Sequence, residues 1–191
     1  MIALLLAAAL GATTGTLTSD ALRARYGGLR SLSADVVQVK EGRFWARPLE
    51  SRIRLRYTPE RIVWETVSPF RSSVVIEGGR LTVLDASGRP RDVGGLSGDP
   101  RVTALVRFIR SLIAVDLDAI DREFTIRYGP GELVAVPREG SALKLFTSIR
   151  LRFDDRDDLT AMEIETPNER TRLAFERVER EPPAPARAER R

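Results

Sequence analysis

Between Pro59 and Gly88 the chain packs three short β-prone runs into one segment: Arg61 to Val67, Ser72 to Glu77 and Arg80 to Asp85. Ser68-Pro69 and Gly78-Gly79 separate them. Connections this short leave no room for a crossover helix, so neighbouring runs must pair antiparallel. The first run carries Trp64, and polar residues alternate with apolar ones, as in a sheet with one wet face. Just upstream, Ser51 to Tyr57 sets Arg52, Arg54 and Arg56 against Ile53, Leu55 and Tyr57. One face of that strand is charged and the other apolar. Tyr57-Thr58-Pro59-Glu60 reads as the turn between them, since proline fixes its own torsion and biases Thr58 towards extended geometry.

The same grammar extends in both directions. Ser19 or Asp20 is positioned to cap a helix with apolar residues at Leu22, Tyr26, Leu29 and Leu32, running to about Ser33. Gly27 and Gly28 weaken its middle by about 1 kcal/mol each relative to alanine. Val36 to Lys40 and Arg43 to Ala46 follow as short strands. The Gly-rich loop Gly94 to Asp99 leads to Pro100, which opens a second helix with Val102, Leu105, Val106, Ile109, Leu112 and Ile113 on one side. That stripe reads either as ordinary core or as the inner face of a lid. After Asp116 to Asp121, strands return at Glu123 to Tyr128, Glu132 to Pro137, Phe146 to Phe153, Leu159 to Glu165 and Thr171 to Val178.

About six strands, a helical insert and about five more strands predict an α+β fold: a single strongly curved antiparallel sheet with helices covering its concave face. A sheet of about ten twisted strands tends to curl, and the curl leaves an apolar concavity.

At the ends, Met1 to Ala12 is an apolar run too short to span a bilayer and has the pattern of a signal peptide. Residues 19–180 form the predicted single domain, the size expected for 191 residues. Residues 181–191, with Pro182-Pro183-Ala184-Pro185 and an Arg/Glu/Ala ending, read as a disordered tail. The expectation is an exported protein, soluble after signal cleavage, and nothing in the composition excludes the periplasm. With no cysteine the chain holds no disulfide and no lipidation site of its own.

The 191 residues contain no histidine either. Without His or Cys a zinc site is disfavoured, and the commonest general base is missing. Asp154, Asp155, Asp157 and Asp158 lack the glycine and distal glutamate of a calcium loop and read as a hairpin turn. Glu65 and Asp85 read as water-facing strand residues. No nucleophile elbow, phosphate loop or metal spacing occurs. The expectation is a non-enzyme with no cofactor and no metal. The formal charge of +4 comes from arginines interspersed with acidic residues, which argues against a nucleic-acid face.

Several of these segments, in order, resemble the LolA family of periplasmic lipoprotein carriers. Val36-Val37-Gln38 stands at the family's Phe-x-Gln, followed by Gly42. Pro59 to Trp64 looks like its Pro-x-x-x-x-Trp, Ser68-Pro69 like its following proline, and Glu77-Gly78-Gly79-Arg80-Leu81 like its hairpin. Leu133 to Pro137, Phe146 to Phe153 and Leu159 to Val178 are similar to the closing strands. Thr58 stands where the family carries an arginine, so the pattern is that of a divergent member.

The resemblance implies a half-open barrel with a helical lid. Its function would be to hold acyl chains of lipoproteins or another envelope lipid and carry them towards the outer membrane. An inner-membrane donor complex and an outer-membrane acceptor would be its partners, and the carrier would be a monomer. The expected lipid-binding residues are Trp64, Val74, Ile76, Leu81, Val83, Leu105, Ile109, Leu112, Ile149, Leu151, Phe153 and Met162. The rival reading is an envelope regulatory or scaffold module on the same fold that binds a protein partner.

Overall fold

The computed structural model describes residues 16–43, 45–91 and 100–181. The signal-peptide segment, the Gly94 to Asp99 loop and all of the tail except Glu181 lie outside the described residues.

Eleven strands form one antiparallel sheet in which the chain makes two meanders. The first runs β1 (Ser31–Gly42), β2 (Leu49–Tyr57), β3 (Arg61–Ser68), β4 (Ser72–Glu77), β5 (Arg80–Leu84) and β6 (Pro90–Arg91). Helices α2 (Pro100–Ile113) and α3 (Leu117–Glu123) follow. The second meander runs β7 (Phe124–Gly129), β8 (Glu132–Pro137), β9 (Ser148–Phe153), β10 (Leu159–Glu165) and β11 (Glu169–Glu181). It ends beside β1, giving the order β6-β5-β4-β3-β2-β1-β11-β10-β9-β8-β7. Edge strands β6 and β7 do not pair, so the barrel stays open.

Turn chemistry sets the registers. Gly78 and Gly79 both adopt positive φ, 56° and 75°, in the two-residue β4–β5 turn, the geometry that matches strand twist and that only glycine enters cheaply. Asp154 Oδ1 accepts from the Arg156 and Asp158 amides at 2.9 Å, closing the β9–β10 turn. The four aspartates thus form the hairpin connection that their spacing predicts. Register shifts fall at Ser33/Asp35 against β11, at Arg52/Ile53 against β3 and at Leu159/Ala161 against β9. Bulges of this kind sharpen local twist and bend a strand, and β1 and β11 are the longest strands they act on.

The concave face follows from the registers. Val36 lies opposite Ile53 and Phe175, Leu55 opposite Trp64, and Trp64 opposite Val74. Met162 lies opposite Leu173 and Leu151. These residues point to one side and, with the helices, form a continuous core. On the other face, Arg54 and Arg56 meet Glu65, and Arg150 meets Glu132, in half-exposed pairs. Such pairs contribute little to stability and keep that face in water.

Helix α1 (Ser19–Tyr26) is shorter than its apolar spacing predicts. Its N-cap is Thr18, whose side chain accepts from the Ala21 amide at 3.2 Å, one residue before the predicted caps. It ends at Gly27, and Gly28 turns the chain through φ 73°. Leu29 and Leu32 are buried as predicted, but from the turn and from β1. Tyr26 docks the helix: its hydroxyl accepts from the Leu159 amide at 2.7 Å, its ring meets Phe153 edge-on, and Arg180 lies over it. Asp158 bridges Arg25 at 2.6 Å and Arg180 at 2.9 Å, tying α1 to β11.

Two other segments also depart from the sequence reading. Arg43 to Ala46 contains no strand in its described residues; Arg43 and Trp45 lie in the β1–β2 turn, where the Trp45 amide donates to Gly42 O at 3.1 Å. The acidic Asp116 to Asp121 run hides α3, capped by Asp116, whose carboxylate accepts from the Ala119 amide at 3.0 Å. Beside it Phe108 of α2 stacks on Phe124, with centroids 4.6 Å apart.

Candidate functional site

An apolar cavity of about 390 Å³ lies between the concave face and α2. Its walls come from both halves of the sheet: Trp64 of β3, Val74 and Ile76 of β4 and Leu81 of β5 on one side, Met162 and Ile164 of β10 on the other. Six strand spacings separate β5 from β10, about 29 Å in a flat sheet at roughly 4.8 Å per spacing. A cavity this small touches both only because the sheet is strongly curved. Leu105, Ile109, Leu112 and Ile113 of α2 form the roof.

The alternation of the strands places these side chains. Trp64, Val74, Leu81, Leu105, Ile109, Phe146, Ile164 and Phe175 are only partly buried although they line an interior space. Each of them forms part of the cavity wall. Apolar area left accessible inside a fold is the mark of a site that accepts an apolar ligand. A packed core would have closed it, because interiors fill to crystal-like density.

Eight of the twelve residues singled out in the sequence line this cavity: Trp64, Val74, Ile76, Leu81, Leu105, Ile109, Leu112 and Met162. Val83 pairs with Val74 on the same face of the sheet but is not among the lining residues. Ile149, Leu151 and Phe153 share the face too, but are packed into the core, with exposures of 0%, 0% and 6%. The sequence reading passed over Ile62, Ile113, Phe146, Ile164, Leu173 and Phe175. Simple alternation reaches four of them, from Trp64 back to Ile62 and from Met162 to Ile164, and along β11 through Leu173 and Phe175.

One end of the cavity is polar. Gln38 and Lys40 continue the inward-facing row of β1, opposite Leu173 and Thr171. Lys40 Nζ stands 3.7 Å from Glu169 Oε1, and Glu169 also accepts from Trp45 Nε1 at 3.0 Å and Thr171 Oγ1 at 3.1 Å. Burial alone acts to raise the Glu169 carboxyl pKa. The indole N–H, the Lys40 charge and the Thr171 hydroxyl outweigh it and hold the group below its ordinary value. At the roof, Arg110 of α2 donates to Glu60 O in the β2–β3 turn at 3.4 Å. Among the described residues no group of acidic side chains is arranged to hold a metal, and no helix is long and apolar enough to cross a membrane.

A half-open, eleven-stranded barrel with an apolar interior defines the class of protein. No protein-family model and no curated protein matches the sequence. Among solved structures, the chain is similar to a LolA superfamily protein from Nitrosomonas europaea, with 11% identity over 86% of this chain and 91% of that one, at a TM-score of 0.43. It is similar to lipoprotein LppX of Mycobacterium tuberculosis, with 13% identity over 88% and 99%, at 0.44. A putative outer membrane lipoprotein-sorting protein domain from Vibrio parahaemolyticus gives 9% identity over 87% and 92%, at 0.41.

Proposed function

We propose that this protein is a non-enzymatic carrier that holds an acyl chain of a lipoprotein or another envelope lipid in the cavity beneath α2. The periplasm is its proposed location, between an inner-membrane donor and an outer-membrane acceptor. The observation that carries this reading is the set of partly buried apolar side chains around a space of about 390 Å³. At roughly 30 Å³ for a group the size of a water molecule, it accommodates about thirteen such groups. That is one acyl chain of middling length.

Each methylene withdrawn from water contributes about 0.8 kcal/mol. A dozen of them exceed the lower estimates of the cost of association, roughly 4 kcal/mol and upwards. Release then requires that the walls separate, and α2 is the element placed to move. Three features support that role: two of its roof residues, Leu105 and Ile109, keep apolar surface accessible, the Arg110–Glu60 contact at its end is long, and the glycines of residues 94–99 precede it in the sequence.

The test is to purify the protein from a Gram-negative envelope, extract bound lipid and identify it by mass spectrometry, with displacement of a fluorescent acyl probe as the binding measurement. Co-purifying acyl lipid and saturable displacement are expected. Protein that is consistently empty and does not bind the probe refutes the carrier reading and leaves the protein-binding alternative.

A further inference from the structure

The polar end of the acyl cavity does not simply close. A second cleft of about 380 Å³ begins there, between the end of β1 and the β10–β11 turn, and it shares two wall residues, Thr166 and Glu169, with the cavity. One space is apolar, the other polar, and they meet at a pair of side chains. That is the layout an amphiphile requires.

We propose that this cleft is the head-group site of the same lipid, and that it takes an uncharged, hydroxyl-rich head such as a glycosyl group. The inference rests on the carrier reading for the tail and adds the class of head. Three observations support it.

The first is charge balance. Lys40 faces Glu169, Arg170 binds Glu165 at 2.6 Å, and Arg172 binds Glu41 at 2.5 Å. Of these, Glu41, Glu165, Glu169 and Arg170 line the cleft itself, together with Arg43. An anionic head set against Lys40 also meets Glu169, and a cationic head set against Glu165 also meets Arg170. Arg43, the cation of the cleft wall that has no ion pair among the described residues, is outnumbered there by Glu41, Glu165 and Glu169, so a charged head meets opposing charge wherever it is set, whereas hydroxyls donate to the carboxylates and accept from the cations without displacing a pair.

The second is hydrogen-bonding capacity not used within the fold. The side-chain amides of Gln38, in the cavity wall, and Asn168, in the cleft wall, make no hydrogen bond among the described residues. Gln38 faces the junction from β1 and Asn168 from the β10–β11 turn. Each offers both a donor and an acceptor, which suits a ligand carrying hydroxyls of both kinds.

The third is rigidity. The cleft floor is made where Gly42 approaches the turn so closely that a Cβ there would lie 2.3 Å from Asn168 O. The Arg43 amide donates to that same carbonyl at 3.1 Å. Trp45, 39% exposed, is fixed to Glu169 through its indole N–H and presents an apolar ring beside the junction. Polar groups held this way lose little freedom on binding.

The experiment compares three amphiphiles of one chain length, below their micellar concentrations: dodecyl maltoside, dodecyl phosphate and dodecyltrimethylammonium. Each displaces the uncharged probe N-phenyl-1-naphthylamine from the full chain. The maltoside is expected to displace it at a concentration lower by about tenfold or more, the gain from one or two additional hydrogen bonds. The exposed Asn168→Ala should shrink that preference to about threefold or less, while the probe itself binds as before; Gln38→Leu, in the cavity wall, should shrink the ratio of maltoside to phosphate displacement whatever it does to the probe's own affinity. Equal displacement by all three refutes the head-group site and leaves the acyl cavity standing. A preference for the phosphate refutes the uncharged head. If the probe does not bind at all, the carrier reading falls and this inference with it.

Discussion

Ile109→Glu is the substitution that separates a lid from a core helix. Ile109 sits on the inner side of α2, partly buried, with its accessible surface facing the cavity. In the empty protein a carboxylate at this position remains hydrated through the cavity, so the fold should survive at a cost of about 1 kcal/mol, typical of a point change without a new cavity or an unpaired buried charge. In the loaded protein the same carboxylate lies against methylenes with no partner nearby. Burying an unpaired polar group costs roughly 2 kcal/mol or more, and each 1.4 kcal/mol is about tenfold in affinity. Binding of an acyl probe should therefore weaken by about thirtyfold or more, and lowering the pH should restore part of it as the carboxylate takes up a proton. Fluorescence titration measures the affinity, and far-ultraviolet circular dichroism with a denaturant series confirms the fold. Unchanged affinity in a folded variant refutes the placement of the chain beneath α2. Loss of the fold shows instead that Ile109 is core and that α2 is not free to lift.

Phe108→Ala provides the contrast from the other side of the same helix, where the ring stacks on Phe124 and touches Phe146; a fall in stability of about 3–5 kcal/mol should appear as a lowered denaturant midpoint. Gly42→Ala should force β1 away from the β10–β11 turn, because the added Cβ meets backbone at 2.3 Å and 2.9 Å; a melting temperature lower by several degrees is expected, and no change would show that the approach is looser than described. Glu169→Gln probes the junction. The folded-state pKa of Glu169 is held below its ordinary 4.5, so its contribution to stability is complete above about pH 4.5 and is lost as the pH falls through the lower folded value. The variant should be less stable than the parent at pH 7, and the two should converge in acid.

Much of the concave face was legible because the strand period is two. Once Ile53, Leu55 and Tyr57 set the phase of β2, the turns at Thr58-Pro59-Glu60 and at Ser68-Pro69 carried it to Trp64, Val74 and Ile76, and the registers agree. Alternation also contained the polar junction, since Gln38 and Lys40 occupy inward positions of β1. They were passed over because a polar residue at an inward position suggests the end of a strand before it suggests a ligand. Bulges and helix ends were less legible. At Leu159/Ala161 the count along β10 slips by one residue, and no local pattern marks the slip. α1 ends at Gly27, and Gly28 turns the chain through a left-handed conformation that apolar spacing at Leu29 and Leu32 could not reveal. In α3, Asp116 acts as a cap and Asp118 complements the first turn, yet in sequence the same aspartates look like a loop. Whether an inward residue borders open space or packed core depends on how far the sheet curls around it. That depends on both meanders at once, which is why Ile149 and Leu151 could not be told from Met162.

The pairing of β1 with β11 also bears on how the molecule is made. The first strand and the last lie side by side at the centre of the sheet, so each meander alone ends in a long, unsatisfied edge where its partner should be. A nascent chain that has reached α3 has β1 ready and nothing to set beside it. Contacts so distant in sequence form slowly, and the sheet cannot be completed until residue 181 has left the ribosome. The strand order thus holds the sheet incomplete until its last strand is made, and β1 waits with one edge open for a partner that the chain supplies only after both helices.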